Sequence, residues 1–167
     1  GKEAERWKED KIGAVYDATR VATDAGRGPD EYEGARAVTK TYVATMDSWE
    51  SLGWMLRVEA EERGYGKAAE KVFVGDGAVP VRETQRIHFP DATFVLDWPH
   101  AMGHLMDAAN AAYGEGSARA RVWYDTNKER MWAGAVDDVI AALAKESRRG
   151  GAPRRGETER SARVVLH

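Results

Sequence analysis

Four side chains between positions 76 and 104 hold most of the chemistry available to this sequence: Asp76, Asp97, His100 and His104. Each aspartate closes a short β-branched or aromatic run, Val72-Phe73-Val74 (through Gly75) and Phe94-Val95-Leu96. A carboxylate at the C-terminal end of a buried strand is where open α/β sheets place ligands. At Asp76, in VGDGA, the hard oxygens suit Mg2+, which takes one or two carboxylates and fills an octahedral shell with water and phosphate. Gly75 and Gly77 would let backbone and substrate approach closely. The same residues also read as an Asp-Gly turn that reverses the chain, and spacing alone leaves both readings open.

His100 and His104 stand at i and i+4, so on a helix they share one face and can grip one metal, with Asp97 as a third ligand. The structural reading places Asp97 at a helix N-terminus, where the dipole favours it, and both histidines on a polar face. The spacing lacks the glutamate of a zinc-protease motif, and the structural reading is the stronger. Trp49, Trp54, Trp98, Trp123 and Trp132 are read as core residues rather than base-stacking platforms.

Several elements must position these groups. Residues 1–10 are a charged lead-in around Trp7. Positions 11–21 alternate loosely and 37–46 are β-branched and aromatic, which predicts an antiparallel pair across a Gly-, Asp- and Pro-rich loop. Asp47, with Glu50 three residues on, predicts a helix start. Trp49, Leu52, Leu56 and Ala60 mark that helix's core face, and Arg63-Gly64 mark its end. Strands at 71–75 and 92–97 flank a short segment, 81–89, and the unit predicts parallel neighbours. Both aspartates would then leave the same sheet edge.

Pro99 suits the first turn of the next helix. Its apolar side is Met102, Leu105, Met106, Ala109, Ala112 and Tyr113, with His100, His104 and Asp107 opposite. Helices over 117–132 and 136–147 follow, the latter with a Val136, Val139, Ile140 and Leu143 stripe. From Arg148 the Gly-, Arg- and Glu-rich sequence predicts a disordered tail.

With 167 residues the chain can bury a real core. It has no cysteine, which excludes disulfides, thiol nucleophiles and cysteine zinc sites, and an intracellular compartment is expected. A net charge of −3 does not announce a nucleic-acid binder, although local patches matter more than totals. No apolar run approaches the roughly 18 residues of a membrane span, and no signal-peptide core is present. The start at Gly1, inside charged sequence, is expected of a piece of a longer protein.

The run DGA (76–78) followed by FPDATFVLDWPHAMGHL (89–105) resembles insertion-sequence transposases of the DDE type, Kra group, which have an RNase H-like core. Their pattern is DGA-x-W-I, then F-P-x-A, then I-L-D-x-x-H-A-x-E-H-L. WKEDKIGAVY (7–16) is similar to that group's W-x-E-x-K-x-G strand. Residues 39–64 resemble the segment before its second aspartate, and MWAGAVDDVIAAL (131–143) its L-W-x-G helix. The combined match spans about residues 7–147.

The resemblance implies an RNase H-like mixed sheet over 11–113, with an antiparallel pair, two parallel strands and the central first strand missing. A helical part (114–147) and the charged tail (148–167) follow. It implies an enzyme that cuts and rejoins DNA with two Mg2+ (or Mn2+) ions, held by two aspartates and a glutamate. Asp76 matches the second aspartate, while Asp97, His100 and His104 match accessory positions beside it. The first aspartate is expected before Gly1 and the glutamate after His167; Asp17 and Glu129 fall at neither family position. Val79-Pro80 replaces W-I and Gly103 replaces the motif's glutamate, as expected of a fragment from a decayed copy.

The partners implied are transposon ends and target DNA, with self-association into a homo-oligomer and no membrane, in a prokaryotic cytoplasm. Alone, the fragment is expected to be inactive. Two other readings compete: a zinc hydrolase built on Asp97, His100 and His104, and a non-catalytic module that docks through its helical half.

Overall fold

A computed structural model describes residues 9–19, 28–30 and 36–149, so the expectations for Trp7, most of the 22–34 loop and the tail from residue 150 lie outside the described residues. The described chain is a mixed α/β structure with five α-helices, one antiparallel strand pair and one parallel pair. It divides into two compact units, and the parallel pair begins in one and ends in the other.

In the first unit, β1 (Lys11–Thr19) pairs antiparallel with β2 (Arg36–Thr45), Gly13 opposite Val43 and Val15 opposite Thr41. Alternation along each strand turns Val15 and Val43 inward and leaves Ile12 and Tyr42 in solvent. The register slips between Asp17 and Ala18. Helix α1 (Trp49–Glu62) crosses the inward face. Its cap is Ser48, whose hydroxyl accepts from the Ser51 amide at 3.1 Å, and not Asp47 as the capping-box spacing predicts. Asp47 instead accepts from the Ser51 hydroxyl at 3.0 Å, so serine, with its shorter side chain, occupies the cap itself. The helix ends as expected: Arg63 is the C-cap and Gly64 turns left-handed at φ 82°.

Leu52, Leu56 and Ala60 are buried with Phe89 and Ala92, and Val15, Val43, Trp49, Tyr65 and Phe73 pack against them. Each fully buried leucine contributes about 1.5–3 kcal/mol through removal from water. Gly13 lets β1 come this close to α1, because a Cβ there would lie 2.7 Å from Leu56 Cδ2. A helix α2 spans Val79–His88, two residues earlier than expected, with Pro80 tolerated in its first turn. Phe89 follows its last residue, and the Phe89 ring meets Tyr65 edge-on at 5.4 Å and Phe73 at 5.6 Å.

Strands β3 (Val72–Gly75) and β4 (Thr93–Leu96) run parallel. The Thr93 amide donates to Lys71 O at 2.9 Å, and the Asp97 amide donates to Gly75 O at 2.8 Å, a constant offset along both strands. Among the described residues this pair shares no sheet with β1–β2.

The second unit holds three helices: α3 (Trp98–Tyr113), α4 (Ala118–Trp132) and α5 (Val136–Arg149). Ala101, Met102, Leu105, Ala108, Val139 and Leu143 form its core, with Leu96, Trp98, Trp123, Tyr124 and Met131 against it. The buried stripe of α3 is rotated from the expected one: Ala101 and Ala108 are inside, whereas Met106 is half-buried. Small residues let α4 and α5 approach α3 closely there. On α5, Val139 and Leu143 are fully buried, Ile140 is half-buried and Val136 is exposed; the helix runs on through Arg149, past the Arg148 where a tail is expected. Ser117 caps α4 by accepting from the Ala120 amide at 3.1 Å. Lys128, inside α4, is buried and meets both carboxylate oxygens of Asp30, at 2.9 and 2.8 Å. Among the described residues no helix is long and apolar enough to cross a membrane.

Candidate functional site

The last parallel rung, Asp97 N to Gly75 O, sets the C-terminal ends of β3 and β4 level, so Asp76 and Asp97 leave the same edge one after the other. Both lie in the second unit with α3. Asp76 makes an Asx contact in the link from β3 to α2: its Oδ1 accepts from the Ala78 amide at 2.9 Å, and Gly77 sits at φ 81°, a conformation that favours glycine. One carboxylate oxygen is thus committed to local backbone, without the chain reversal that the Asp-Gly turn reading expects. The other oxygen has no hydrogen-bond partner among the described residues and remains available as a ligand atom.

Asp97 is the N-cap of α3. Its Oδ2 accepts from the His100 amide at 3.3 Å, satisfying one of the open donors of the first turn. Pro99 follows inside that turn, where its missing N–H costs nothing. One turn along, His100 and His104 face each other across i and i+4. Their Nε2 atoms are 3.0 Å apart and the rings meet edge-on with centroids 4.5 Å apart. One ring must donate and the other accept, so the contact holds at most one proton between the two nitrogens.

Asp97, Pro99, His100, Gly103, His104 and Asp107 line an open pocket of about 420 Å³ on this side of α3. Gly103 leaves open space where a side chain would project. His104 is pushed below its ordinary pKa by burial first and by neighbouring His100 second, while the Asp107 and Asp76 carboxylates pull it back up.

A two-ion Mg2+ clamp needs several carboxylates converging on one point. Among the described residues no three His, Asp or Glu side chains stand where they could share an ion. Asp76 fits one corner of a magnesium shell, and the described residues by themselves do not fit the whole clamp. Of the zinc alternative's three residues, His100 and His104 come together, whereas Asp97 gives its Oδ2 to the helix cap and forms no trio with them among the described residues.

Asp17 belongs to the β-ribbon. It accepts from the Thr39 hydroxyl at 3.1 Å and lies 3.5 Å from Arg63, a structural ion pair in the first unit. Glu129 is exposed on α4. Of the five tryptophans expected in the core, Trp49, Trp98, Trp123 and Trp132 are half-buried, with Trp98 edge-on to Trp132 at 5.7 Å. Trp54 is the exception: 58% exposed, it covers the buried ring of His88, edge-on at 4.9 Å.

Sequence reasoning missed a polar cluster in the first unit. The Tyr65 hydroxyl donates to Asp91 Oδ1 at 2.5 Å, and Lys71 Nζ meets Asp91 Oδ2 at 2.6 Å. The Lys71 and Arg57 cations each lie 4.7 Å from the Tyr65 ring centroid. Hydrogen bonds from Lys71 and then Tyr65 hold the Asp91 carboxyl down at about 2, and burial followed by the Asp91 bond pushes the Tyr65 hydroxyl up to about 12. No local spacing signals this cluster, because Tyr65 and Asp91 are 26 residues apart. His88 likewise carries no motif.

Comparison with protein-family models, with curated proteins and with solved structures gives no match to this chain.

Proposed function

We propose that this chain is the middle of a DDE-type DNA transposase catalytic domain with an RNase H-like core, and that Asp76 is one of its metal-binding carboxylates. The observation that carries the reading is the placement of Asp76. It follows the C-terminal end of a parallel strand, offers one uncommitted carboxylate oxygen, and leaves the same sheet edge as Asp97, the cap of the histidine-bearing α3.

Two features of the fold support the same reading. An antiparallel pair and a parallel pair, separated by a helix in sequence, lie in different sheets, as a mixed sheet without its central strand would leave them. Gly13, the glycine of the W-x-E-x-K-x-G resemblance, is where α1 presses closest on β1, which gives that motif position a packing reason.

In this proposal the metal ions, when bound, activate an attacking water or 3′-hydroxyl and stabilise the departing oxygen of the DNA phosphodiester. Asp76 supplies hard oxygen to that site. Asp97 fixes the start of α3 and so the direction of the His100–His104 face. By the resemblance the other two carboxylates precede Gly1 and follow His167, and DNA is the partner. On this proposal residues 1–167 alone are expected not to cleave DNA.

The test is a nicking assay on supercoiled DNA with the purified chain in Mg2+ and then Mn2+. The expected result is no cleavage above that of the Asp76→Ala variant. Metal-dependent nicking that disappears in Asp76→Ala would show that one carboxylate, with what the chain already holds, is enough, and would overturn the fragment reading.

A further inference from the structure

We propose that His100 and His104 form a binding site for one divalent transition-metal ion of the zinc class, on the exposed side of α3 and separate from the magnesium role given to Asp76. Zinc binds imidazole nitrogen at about 2.0–2.1 Å with tetrahedral angles, which sets two ligand nitrogens about 3.3 Å apart. The two Nε2 atoms already stand 3.0 Å apart. Converting the hydrogen bond into a shared metal takes a shift of a few tenths of an ångström, a turn of the rings that makes both Nε2 lone pairs converge, and movement of the bridging proton to an Nδ1 or to solvent. The i, i+4 spacing on a regular helix holds the two rings on one face without any loop rearrangement.

The surroundings suit a cation. The Asp97 and Asp107 carboxylates line the same pocket, one turn to each side, and no lysine or arginine is among its lining residues. Gly103, between the histidines, leaves open space above them for an ion that keeps water in its remaining positions. The carboxylates can accept hydrogen bonds from such water, the usual arrangement around zinc-bound ligands. Two imidazoles also decide the ion class: nitrogen ligands favour zinc, copper or nickel, whereas magnesium and calcium take oxygen. The site is a two-histidine one because no third described His, Asp or Glu side chain is already in ligand position.

The experiment is a calorimetric titration of the tag-free chain with ZnCl2, repeated with His100→Gln, His104→Gln and Asp76→Ala, each first checked for native circular dichroism. One zinc per chain is expected, weakened about tenfold or more in either histidine variant and by no more than about threefold in Asp76→Ala, whose carboxylate is not a ligand. Cobalt(II) titration, read by its visible d–d absorption, should follow the same pattern. Absence of stoichiometric zinc, or binding that survives both histidine substitutions, would overturn the site. Loss of binding in Asp76→Ala would overturn its separateness. A failed nicking assay has no bearing on either outcome, so this inference and the transposase proposal stand or fall apart.

Discussion

Asp76 commits one carboxylate oxygen to local backbone, which makes a clean substitution available. Asn keeps that acceptor and removes the charge, so Asp76→Asn should change unfolding free energy by less than about 0.5 kcal/mol in a urea titration. Any loss of metal-dependent behaviour in that variant is then chemical rather than structural. The polar cluster of the first unit makes a different demand. The folded Asp91 carboxyl lies near 2 against an ordinary 3.8, so its ionised form stabilises the fold above about pH 4, and that contribution is lost as pH falls through about 2. Tyr65 has the opposite sign: its neutral form stabilises the fold up to about pH 10, and the contribution disappears as pH rises through about 12. Asp91→Asn should therefore flatten the acid limb of a stability-versus-pH curve and leave the curve near pH 7 without slope from this group. Gly53 is constrained differently: a Cβ there would overlap the His88 ring. Gly53→Ala should cost about 1–3 kcal/mol, because His88 is buried beneath Trp54 and has little room to yield.

Helix α3 is the element on which the site depends, and its start rests on a single side chain. Asp97→Ala should destabilise the fold by about 1 kcal/mol through loss of the cap, whereas Asp97→Asn should cost only a few tenths. Equal losses in the two variants would mean that the charge, rather than the cap, matters there. Most elements were legible because local signals agreed. Gly64 and Pro99 mark helix boundaries by their own backbone geometry, and Leu52, Leu56 and Ala60 repeat at helical spacing. Where the reading failed, neighbouring residues offered a second local solution. Ser48 displaces Asp47 at the cap one position later, and the α3 stripe rotates toward Ala101 and Ala108 because alanines permit close helix packing, which hydrophobicity alone does not reveal.

At the scale of the molecule, each unit has its own core, and the one around α3 is built on few large side chains. Leu105 and Leu143 are fully buried, so Leu105→Ala should cost about 2–5 kcal/mol, measured by denaturant unfolding, and broaden the resonances of the helical unit. Long-range order was the least legible part of the sequence. Asp30 and Lys128 pair across 98 positions, and Tyr65, Lys71 and Asp91 converge from separate stretches of the chain. Such contacts depend on topology, which no local period encodes. The site itself was half legible: the histidine pair followed from i, i+4 spacing, while the capping duty of Asp97 and the single committed oxygen of Asp76 needed coordinates. The central claim is that Asp76 belongs to a three-carboxylate DNA-cutting site completed by sequence on both flanks. Its most direct test is Mg2+-dependent cleavage of transposon-end DNA by a polypeptide extended in frame to include an upstream strand ending in aspartate and a downstream helix bearing glutamate. Cleavage is expected from that polypeptide and none from its Asp76→Asn variant; cleavage that survives Asp76→Asn would contradict the account.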